Sequence, residues 1–335
     1  MRAVVLEQPG GLERLHLVDR PDPGEPGPGD VRVRVHATTI NYHDLGVAMG
    51  HFPAPPHHVP LADGGGVVEA TGPGVTDLVP GDRVVSVFFP WWQSGAPTRN
   101  GLDQAPGLGT DGHAQEVVVR PASWYSRAPR NHTHAEAASV TVAGVTAWNA
   151  LTGGGLLPGE TVLVLGTGGV SLYALQFAKA AGARVIATSS SDEKLERLRA
   201  LGADEVVNYR QEPEWGRRAV ELTDGRGVDR VVEVGGPATL PQSIAAVRVG
   251  GHISLVGVLT GFAGEIPTDE LMMKQAVLRG VVVGSRAHHD EAVRAIDAAD
   301  IHPPLDTEVF DLAQLAEAYR RHASQTVVGK VTVSL

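Results

Sequence analysis

A glycine-rich turn offers the most specific chemistry in this sequence. It lies between the apolar run at residues 161–165 and an amphipathic stretch at 170–181. Glycine permits a tight turn and lets a pyrophosphate approach the backbone, while the N-terminus of the following helix offers free amide groups and a positive dipole end. The predicted phosphate-binding residues are Gly166, Thr167, Gly168, Gly169 and Val170. An α/β turn without a ligand is the alternative, and Ser171 departs from the usual third glycine.

Hydroxyl groups and a cation follow where an adenosine ribose would be bound. The second strand ends at Ser189 and Ser190, where an NAD site would have an acidic side chain for the ribose hydroxyls. A carboxylate would repel a 2′-phosphate, whereas hydroxyls and a cation such as Lys194 would hold it. Tyr209 and Arg210 end the third strand, beside this region. The set favours NADP(H) over NAD(H); the alternative is a solvated Lys194 and a packing role for Tyr209.

The elements that must position these residues change in character near residue 130. Before it, short alternating strands such as residues 31–35 are separated by Gly/Pro turns, which is typical of a small barrel or sandwich. After it, apolar strands alternate with helices, which indicates a parallel sheet covered on both faces. The last strand, at residues 330–333, is expected to return to the first domain.

Composition narrows the class of partner. The chain has 335 residues, which suits two domains, and its net charge of −10 argues against nucleic acid and anionic membranes. No apolar run is long enough to predict a membrane span, and the first residues enter a strand pattern without a signal-peptide layout, so a cytoplasmic protein is expected. Cysteine is absent, which excludes disulfides and thiolate zinc ligands.

Several segments together resemble the medium-chain dehydrogenase/reductase superfamily, in its zinc-independent quinone oxidoreductase-like or alcohol dehydrogenase-like branch. They are residues 41–44, 80–84, 142–148, 164–170, 183–188 and 201–204. The resemblance implies an α/β fold with a Rossmann doubly wound parallel sheet and a GroES-like β-barrel domain, an active site in the cleft between them, and a homodimer. We expect residues 1–124 and 286–335 to form the GroES-like substrate/catalytic domain, and 125–285 the Rossmann dinucleotide-binding domain.

The residues at the family's metal positions argue against zinc. By this resemblance the zinc branch has cysteine where Asn41 stands and a His-Glu pair where Ala62 and Asp63 stand. Alanine cannot ligate a metal, and a structural zinc loop needs four cysteines. We therefore predict no metal. A different metal site is the alternative, and it would be formed by His43, His51, His57 and His58 with Asp44 and Asp63.

The resemblance also directs attention to four residues that could act on a substrate. A nicotinamide would deliver the hydride, so the protein must orient the substrate and stabilise or protonate the developing oxyanion. Asn41 could donate to a carbonyl oxygen, Tyr42 is the preferred proton donor or anchor, His43 is the second choice, and Asp44 would orient a neighbour. A purely structural segment is the alternative.

Further site residues are assigned by position. The expected cofactor contacts are Thr141, Gly235, Val256, Gly257, Val258, Gly284, Ser285 and Lys330. Trp91 and Trp92 are expected to line or cover the substrate cleft, with surface packing as the alternative.

Together these observations predict a zinc-independent, NADPH-dependent oxidoreductase acting on a small molecule. The expected hydride acceptor is a quinone, an enone or a related carbonyl compound, because an enolate spreads charge that zinc would otherwise stabilise. Two alternatives stay open: an alcohol/aldehyde dehydrogenase without catalytic zinc, and a non-catalytic NADPH-binding protein of crystallin-like type.

Overall fold

The computed structural model describes residues 1–98 and 101–335. The strands are β1 Arg2–Leu6, β2 Leu15–Asp19, β3 Asp30–Thr39, β4 Gly65–Thr71, β5 Arg83–Ser86, β6 Val117–Pro121, β7 Tyr125–Arg127, β8 Thr161–Leu165, β9 Arg184–Ser189, β10 Glu205–Asn208, β11 Val228–Glu233, β12 Val247–Leu255, β13 Val277–Gly280, β14 Leu305–Asp311 and β15 Lys330–Ser334. The α-helices are α1 Tyr42–Ala48, α2 His134–Ser139, α3 Val145–Thr152, α4 Gly169–Ala180, α5 Asp192–Ala200, α6 Trp215–Glu221, α7 Leu240–Ala246, α8 Thr268–Met273, α9 Arg286–Ala299 and α10 Leu315–Ala323. Among the described helices, none is both long and apolar enough to cross a membrane.

The chain divides into two compact units. The first contains Met1–Val145 and Gly284–Leu335, and the second contains Thr146–Val283. Residues 125–145 thus pack with the first unit, although the sequence-based expectation placed them in the dinucleotide-binding domain. The boundary between the functional domains stays a prediction.

The first unit is built on a mixed sheet that the end of the chain completes, antiparallel except for the parallel pair β14 and β15. Its strands follow the order β14-β15-β3-β4-β5-β7, with β6 also paired to β3. The alternating valines of β3 point into a buried core shared with Val84 and Tyr125. β15 pairs antiparallel with β3, with Thr332 opposite Thr39, so the last strand returns to the first unit as expected. This pairing brings the start of β15 next to the residues that follow β3.

The second unit is a six-stranded parallel sheet in the order β10-β9-β8-β11-β12-β13. This is the doubly wound order of a Rossmann fold, as predicted, and it reverses direction between β8 and β11. Every residue of β8 is buried, because helices cover both faces of the sheet. The glycine-rich turn follows β8 and therefore lies at the switch point, where such sheets bind ligands.

Candidate active site

The glycine-rich turn has the backbone geometry that a pyrophosphate site needs. Gly166 has a positive φ of 75°, which favours glycine, and its N–H donates to the Thr188 carbonyl at 2.8 Å. A Cβ added at Gly166 or Gly168 would meet no protein atom within 4 Å, so the chain's own packing does not demand these glycines. The buried Ser171 hydroxyl donates to the Leu165 carbonyl at 2.6 Å, which explains why a serine fits at the helix–strand contact.

The predicted ribose-binding residues lie together at the carboxyl ends of β9 and β10. The Tyr209 N–H donates to the Ser189 carbonyl at 3.1 Å, and Asn208 lies opposite Ser189 in the register. The N-cap of α5 is Ser191, which accepts from the Lys194 N–H. Burial, together with the nearby positive charge of Arg210, lowers the pKa of Lys194. Lys194 and Arg210 thus lie near one another after β9 and β10, and their role in binding a ribose phosphate stays a prediction.

A buried carboxylate organises the loop after β11. Glu233 is fully buried, and its Oε1 accepts from the Gly235 N–H at 2.7 Å, the Gly236 N–H at 3.0 Å and the Thr239 hydroxyl at 2.6 Å. The Ser243 hydroxyl donates to its other oxygen. Sequence reasoning missed Glu233, although an acidic residue directly after the apolar pair Val231 and Val232 at a strand end is a usable signal.

The loop after β12 is joined to the same turn. The Gly257 N–H donates to the Glu233 carbonyl at 3.2 Å, and the Thr260 N–H donates to the Gly235 carbonyl at 2.8 Å. A Cβ at Gly257 would lie 2.2 Å from the Val234 carbonyl oxygen, so glycine is required there. Val256, Gly257 and Val258, which are predicted cofactor contacts, are therefore held against Gly235.

In the first unit, the segment after β3 forms a hydrogen-bonded group at the start of α1. Asp44 is completely buried, and its Oδ2 accepts from the Asn41 N–H at 2.8 Å and from Asn41 Nδ2 at 3.0 Å. Its Oδ1 accepts from the Ala62 N–H at 3.1 Å and lies 3.2 Å from His43 Nε2. The His43 side chain is 22% exposed, and Tyr42 is exposed. The side chain next to Asp44 Oδ1 is thus His43, and the orienting role of Asp44 stays a prediction.

Lys330, expected from sequence to contact the cofactor, lies in this same group. Its Nζ donates to the Ile40 carbonyl at 2.8 Å, to Asn41 Oδ1, and to Asp63 Oδ2 at 3.2 Å. An ammonium has three donors, and all three are used. The cofactor contact predicted for Lys330 therefore lacks a donor, and the antiparallel pairing of β15 with β3 is the reason for its actual position.

Asp63 completes the group, and sequence reasoning noted it only as a replaced zinc ligand. The Thr39 hydroxyl donates to Asp63 Oδ2 at 2.5 Å. Burial and the nearby Asp44 charge raise the pKa of Asp63, and the Lys330 charge only partly opposes them. Burial acts in the same direction on Asp44, but His43 and the Asn41 backbone N–H outweigh it and hold the Asp44 pKa below its usual range.

The remaining predicted cofactor contacts of the first unit have internal partners. The buried Thr141 hydroxyl donates to the Ser86 carbonyl at 2.9 Å, within a π-helical segment at Val140–Gly144. Ser285 is the N-cap of α9 and accepts from the His288 N–H at 3.2 Å, directly after Gly284. These bonds account for Thr141 and Ser285 structurally, and their cofactor role stays a prediction.

An aromatic row runs from His43 to the two tryptophans. The His43 ring contacts Phe88 edge-on at 5.2 Å between centroids, Phe88 contacts Phe89 at 4.6 Å, and Phe89 contacts Trp91 at 5.4 Å. Trp92 is buried, stacks on Trp91 and donates to the Gly95 carbonyl at 2.9 Å. Phe88 and Phe89, which read only as strand residues in the sequence, thus connect the tryptophans with His43.

The histidines of the alternative metal site do not converge. His57 is exposed with a positive φ of 53°, whereas the His58 side chain is buried, 3.7 Å from Asp111. Within residues 1–98 and 101–335, no three His, Cys, Asp or Glu side chains are arranged to hold a metal ion.

Comparison with known proteins identifies the family of each part of the chain. Residues 27–130 match the alcohol dehydrogenase GroES-like domain family, and residues 169–298 match the zinc-binding dehydrogenase family. A zinc-type alcohol dehydrogenase-like protein of Schizosaccharomyces pombe is 41% identical, over 100% of this chain and 99% of its own length. A solved NAD-dependent alcohol dehydrogenase is 37% identical, with a TM-score of 0.91 and full coverage of both chains.

Some of the more distant relatives are reductases. A crotonyl-CoA reductase of Streptomyces avermitilis is 29% identical, over 96% of this chain and 82% of its own length. A crotonyl-CoA carboxylase/reductase solved in complex with NADP is 26% identical, with a TM-score of 0.86 and coverage of 100% and 95%. The relatives thus include proteins described with each nicotinamide cofactor.

Proposed function

This chain belongs to the medium-chain dehydrogenase/reductase superfamily and is an NAD(P)H-dependent oxidoreductase with a GroES-like domain and a Rossmann-type domain; from that premise we propose a zinc-independent NADPH-dependent reductase. Its proposed substrate is a small quinone, enone or related carbonyl compound. The observation that carries the proposal is the Lys330 ammonium, which is bonded to Asn41 and Asp63 at the positions that the zinc branch gives to its metal site.

Support for zinc independence comes from the donor set. Asn41 Oδ1 and Asp63 Oδ2 already accept from Lys330, and Ala62 offers no ligand atom. A zinc site needs three or four nitrogen, sulfur or carboxylate ligands around one point. These residues do not fit that requirement, so no step of the proposed reaction uses a metal.

The proposed proton donor is His43. When bound, the nicotinamide supplies the hydride. Because Asp44 lies at Nε2, the Nδ1 atom of His43 is the nitrogen left to carry a proton to the substrate oxygen or carbon. Asn41 uses its oxygen for Lys330 and one N–H for Asp44, so at most one N–H remains for a substrate. We therefore rank His43 ahead of Tyr42, reversing the order that the sequence suggested.

The NADPH preference is supported by the hydroxyls of Ser189 and Ser190 and by the cations Lys194 and Arg210. Hydroxyl and ammonium donors suit a 2′-phosphate, whereas no carboxylate ends β9. The predicted phosphate contacts at residues 166–170 would hold the pyrophosphate at the start of α4. Gly235 and residues 256–258 are the proposed contacts along the rest of the cofactor.

A homodimer, a small-molecule substrate and a cytoplasmic location complete the proposal. β13 is one of the two outer strands of the parallel sheet. Val277 in this strand is 50% exposed, and Val282, just after it, is 57% exposed. An apolar edge strand is a surface that a second sheet can extend. The location is checked by cell fractionation.

The deciding experiment follows NADPH oxidation with a panel of quinones, enones and aldehydes, with and without a chelator. We expect turnover with a conjugated acceptor, unchanged by chelation, and no stoichiometric metal by elemental analysis. Turnover of simple aldehydes alone favours the second candidate, a zinc-independent alcohol/aldehyde dehydrogenase, to which the alcohol dehydrogenase relatives point. Tight NADPH binding without any turnover identifies a non-catalytic binder and contradicts the proposal.

A further inference from the structure

We infer that Lys330 is a positioning residue and the resident cation of the candidate active site, fixing His43 through Asn41 and Asp44. This inference rests on the proposed function, in which His43 delivers the proton. It goes beyond that function because it assigns to a lysine side chain the positive charge that relatives of the zinc branch would take from a metal.

The first step is the anchorage of the ammonium. Lys330 is 3% exposed and begins β15, next to the last residues of β3. The Ile40 N–H donates to the Val331 carbonyl at 3.1 Å, so the two strands stay paired where the lysine turns inward. The Ile40 carbonyl then accepts from Nζ at 2.8 Å. The backbone therefore fixes where the ammonium lies.

The second step is the orientation of the Asn41 amide. An ammonium only donates, so the Asn41 oxygen must face Lys330 and the Asn41 Nδ2 must face Asp44. The opposite orientation would place donors against Lys330 and an oxygen against a carboxylate. Lys330 thereby makes Asn41 Nδ2 the donor to Asp44 Oδ2. The other oxygen, Oδ1, then faces the Ala62 N–H and His43.

The third step is charge. Asp44 and Asp63 are both completely buried, and two carboxylates taken out of water need a compensating cation. Lys330 contacts Asp63 directly and reaches Asp44 through Asn41. Two other titratable groups near Asp44 are neutral in the working pH range, because burial lowers the pKa of His322 to about 4 and raises the pKa of Tyr319 well above its usual value. Lys330 is thus the permanent cation beside this pair.

The test compares Lys330→Met with the charge-matched double variant Lys330→Met/Asp63→Asn. Asp63→Asn alone isolates the second change, and Lys179→Met, a lysine paired with Asp204 on the other unit, is the matched control. Lys330→Met should lower the melting temperature because it leaves buried charge uncompensated, and the double variant should recover it. For all variants we measure kcat, the NADPH Kd, the solvent deuterium isotope effect on kcat, and amide hydrogen exchange at residues 41–44.

The double variant should bind NADPH within about twofold of wild type, yet lose about tenfold or more in kcat with a larger solvent isotope effect, since proton delivery is misaligned. Wild-type kcat and isotope effect in the double variant would overturn the inference, and so would a weakened NADPH Kd with unchanged kcat, which makes Lys330 a cofactor ligand. Loss of wild-type activity on chelation overturns the proposed function instead. If wild type turns over no acceptor, exchange at residues 41–44 still decides: faster exchange in the double variant supports the inference, and unchanged exchange refutes it.

Discussion

At the scale of single residues, His43 and Tyr42 differ in what surrounds their side chains. Both are among the first residues of α1, but His43 lies against a buried carboxylate and Phe88, whereas Tyr42 is exposed. A side chain held between a carboxylate and an aromatic ring loses little freedom when it reacts. This pre-organisation, rather than the intrinsic acidity of either group, decides the ranking.

His43→Gln and Tyr42→Phe form a matched pair. Glutamine has an amide that can face Asp44 but cannot carry a proton, so His43→Gln should lower kcat about 100-fold or more with the NADPH Kd unchanged. Tyr42→Phe should keep kcat near wild type. Steady-state kinetics with the best acceptor measures both, and a larger loss in Tyr42→Phe would restore the ranking derived from sequence.

Lys194 gives a second prediction at this scale, on cofactor choice. Lys194→Ala removes an ammonium from the proposed 2′-phosphate site, so the NADPH Kd should rise about tenfold or more while the NADH Kd changes little. Arg197→Ala, on the same helix and paired with Glu193, is the control. Fluorescence titration measures both affinities; an equal effect on NADPH and NADH contradicts the assignment.

At the scale of elements, Glu233 couples the end of β11 to the loop after β12. In the wild-type protein several donors share the Glu233 carboxylate, whereas Glu233→Gln offers them one neutral oxygen and an amide N–H₂ group. The backbone N–H groups of Gly235 and Gly236 are fixed by the chain and cannot turn away from that amide. We expect a loss of about 2–4 kcal/mol in stability and a weaker NADPH affinity.

Hydrogen exchange and titration test this coupling together. Exchange at residues 234–240 and 256–261 should rise in Glu233→Gln, because Thr260 joins the two loops. The surface variant Glu221→Gln should change neither loop. Wild-type exchange with wild-type NADPH affinity in Glu233→Gln would show that the carboxylate does not organise the cofactor loops.

At the scale of the whole molecule, the outer strand of the parallel sheet is the feature that points to assembly. β13 and the neighbouring helix α8 expose Val277, Met272 and Met273, at 50%, 69% and 73%. Val277→Lys should turn the proposed dimer into a monomer, because a buried ammonium without a partner opposes association. Light scattering measures the mass, and Val309→Lys, an exposed valine of the first unit, is the control. A wild-type monomer contradicts the proposed homodimer.

The sequence by itself determined the features that depend on neighbours along the chain. Strand alternation at residues 31–35, the apolar run of β8, the glycines at 166 and 168, and the absence of cysteine each follow from local geometry or side-chain chemistry. The parallel sheet and the glycine-rich turn at its switch point were therefore predictable.

Only the tertiary structure decided how the first-unit site is assembled. Lys330 and Asn41 are 289 positions apart, and they meet because β15 pairs with β3. Which donor faces which acceptor across such a distance depends on strand register and on burial, and neither leaves a periodic trace in the sequence. The same reason explains why Lys330 was expected at the cofactor, why Glu233 and Phe88 were overlooked, and why the neighbour of Asp44 could not be named from the sequence.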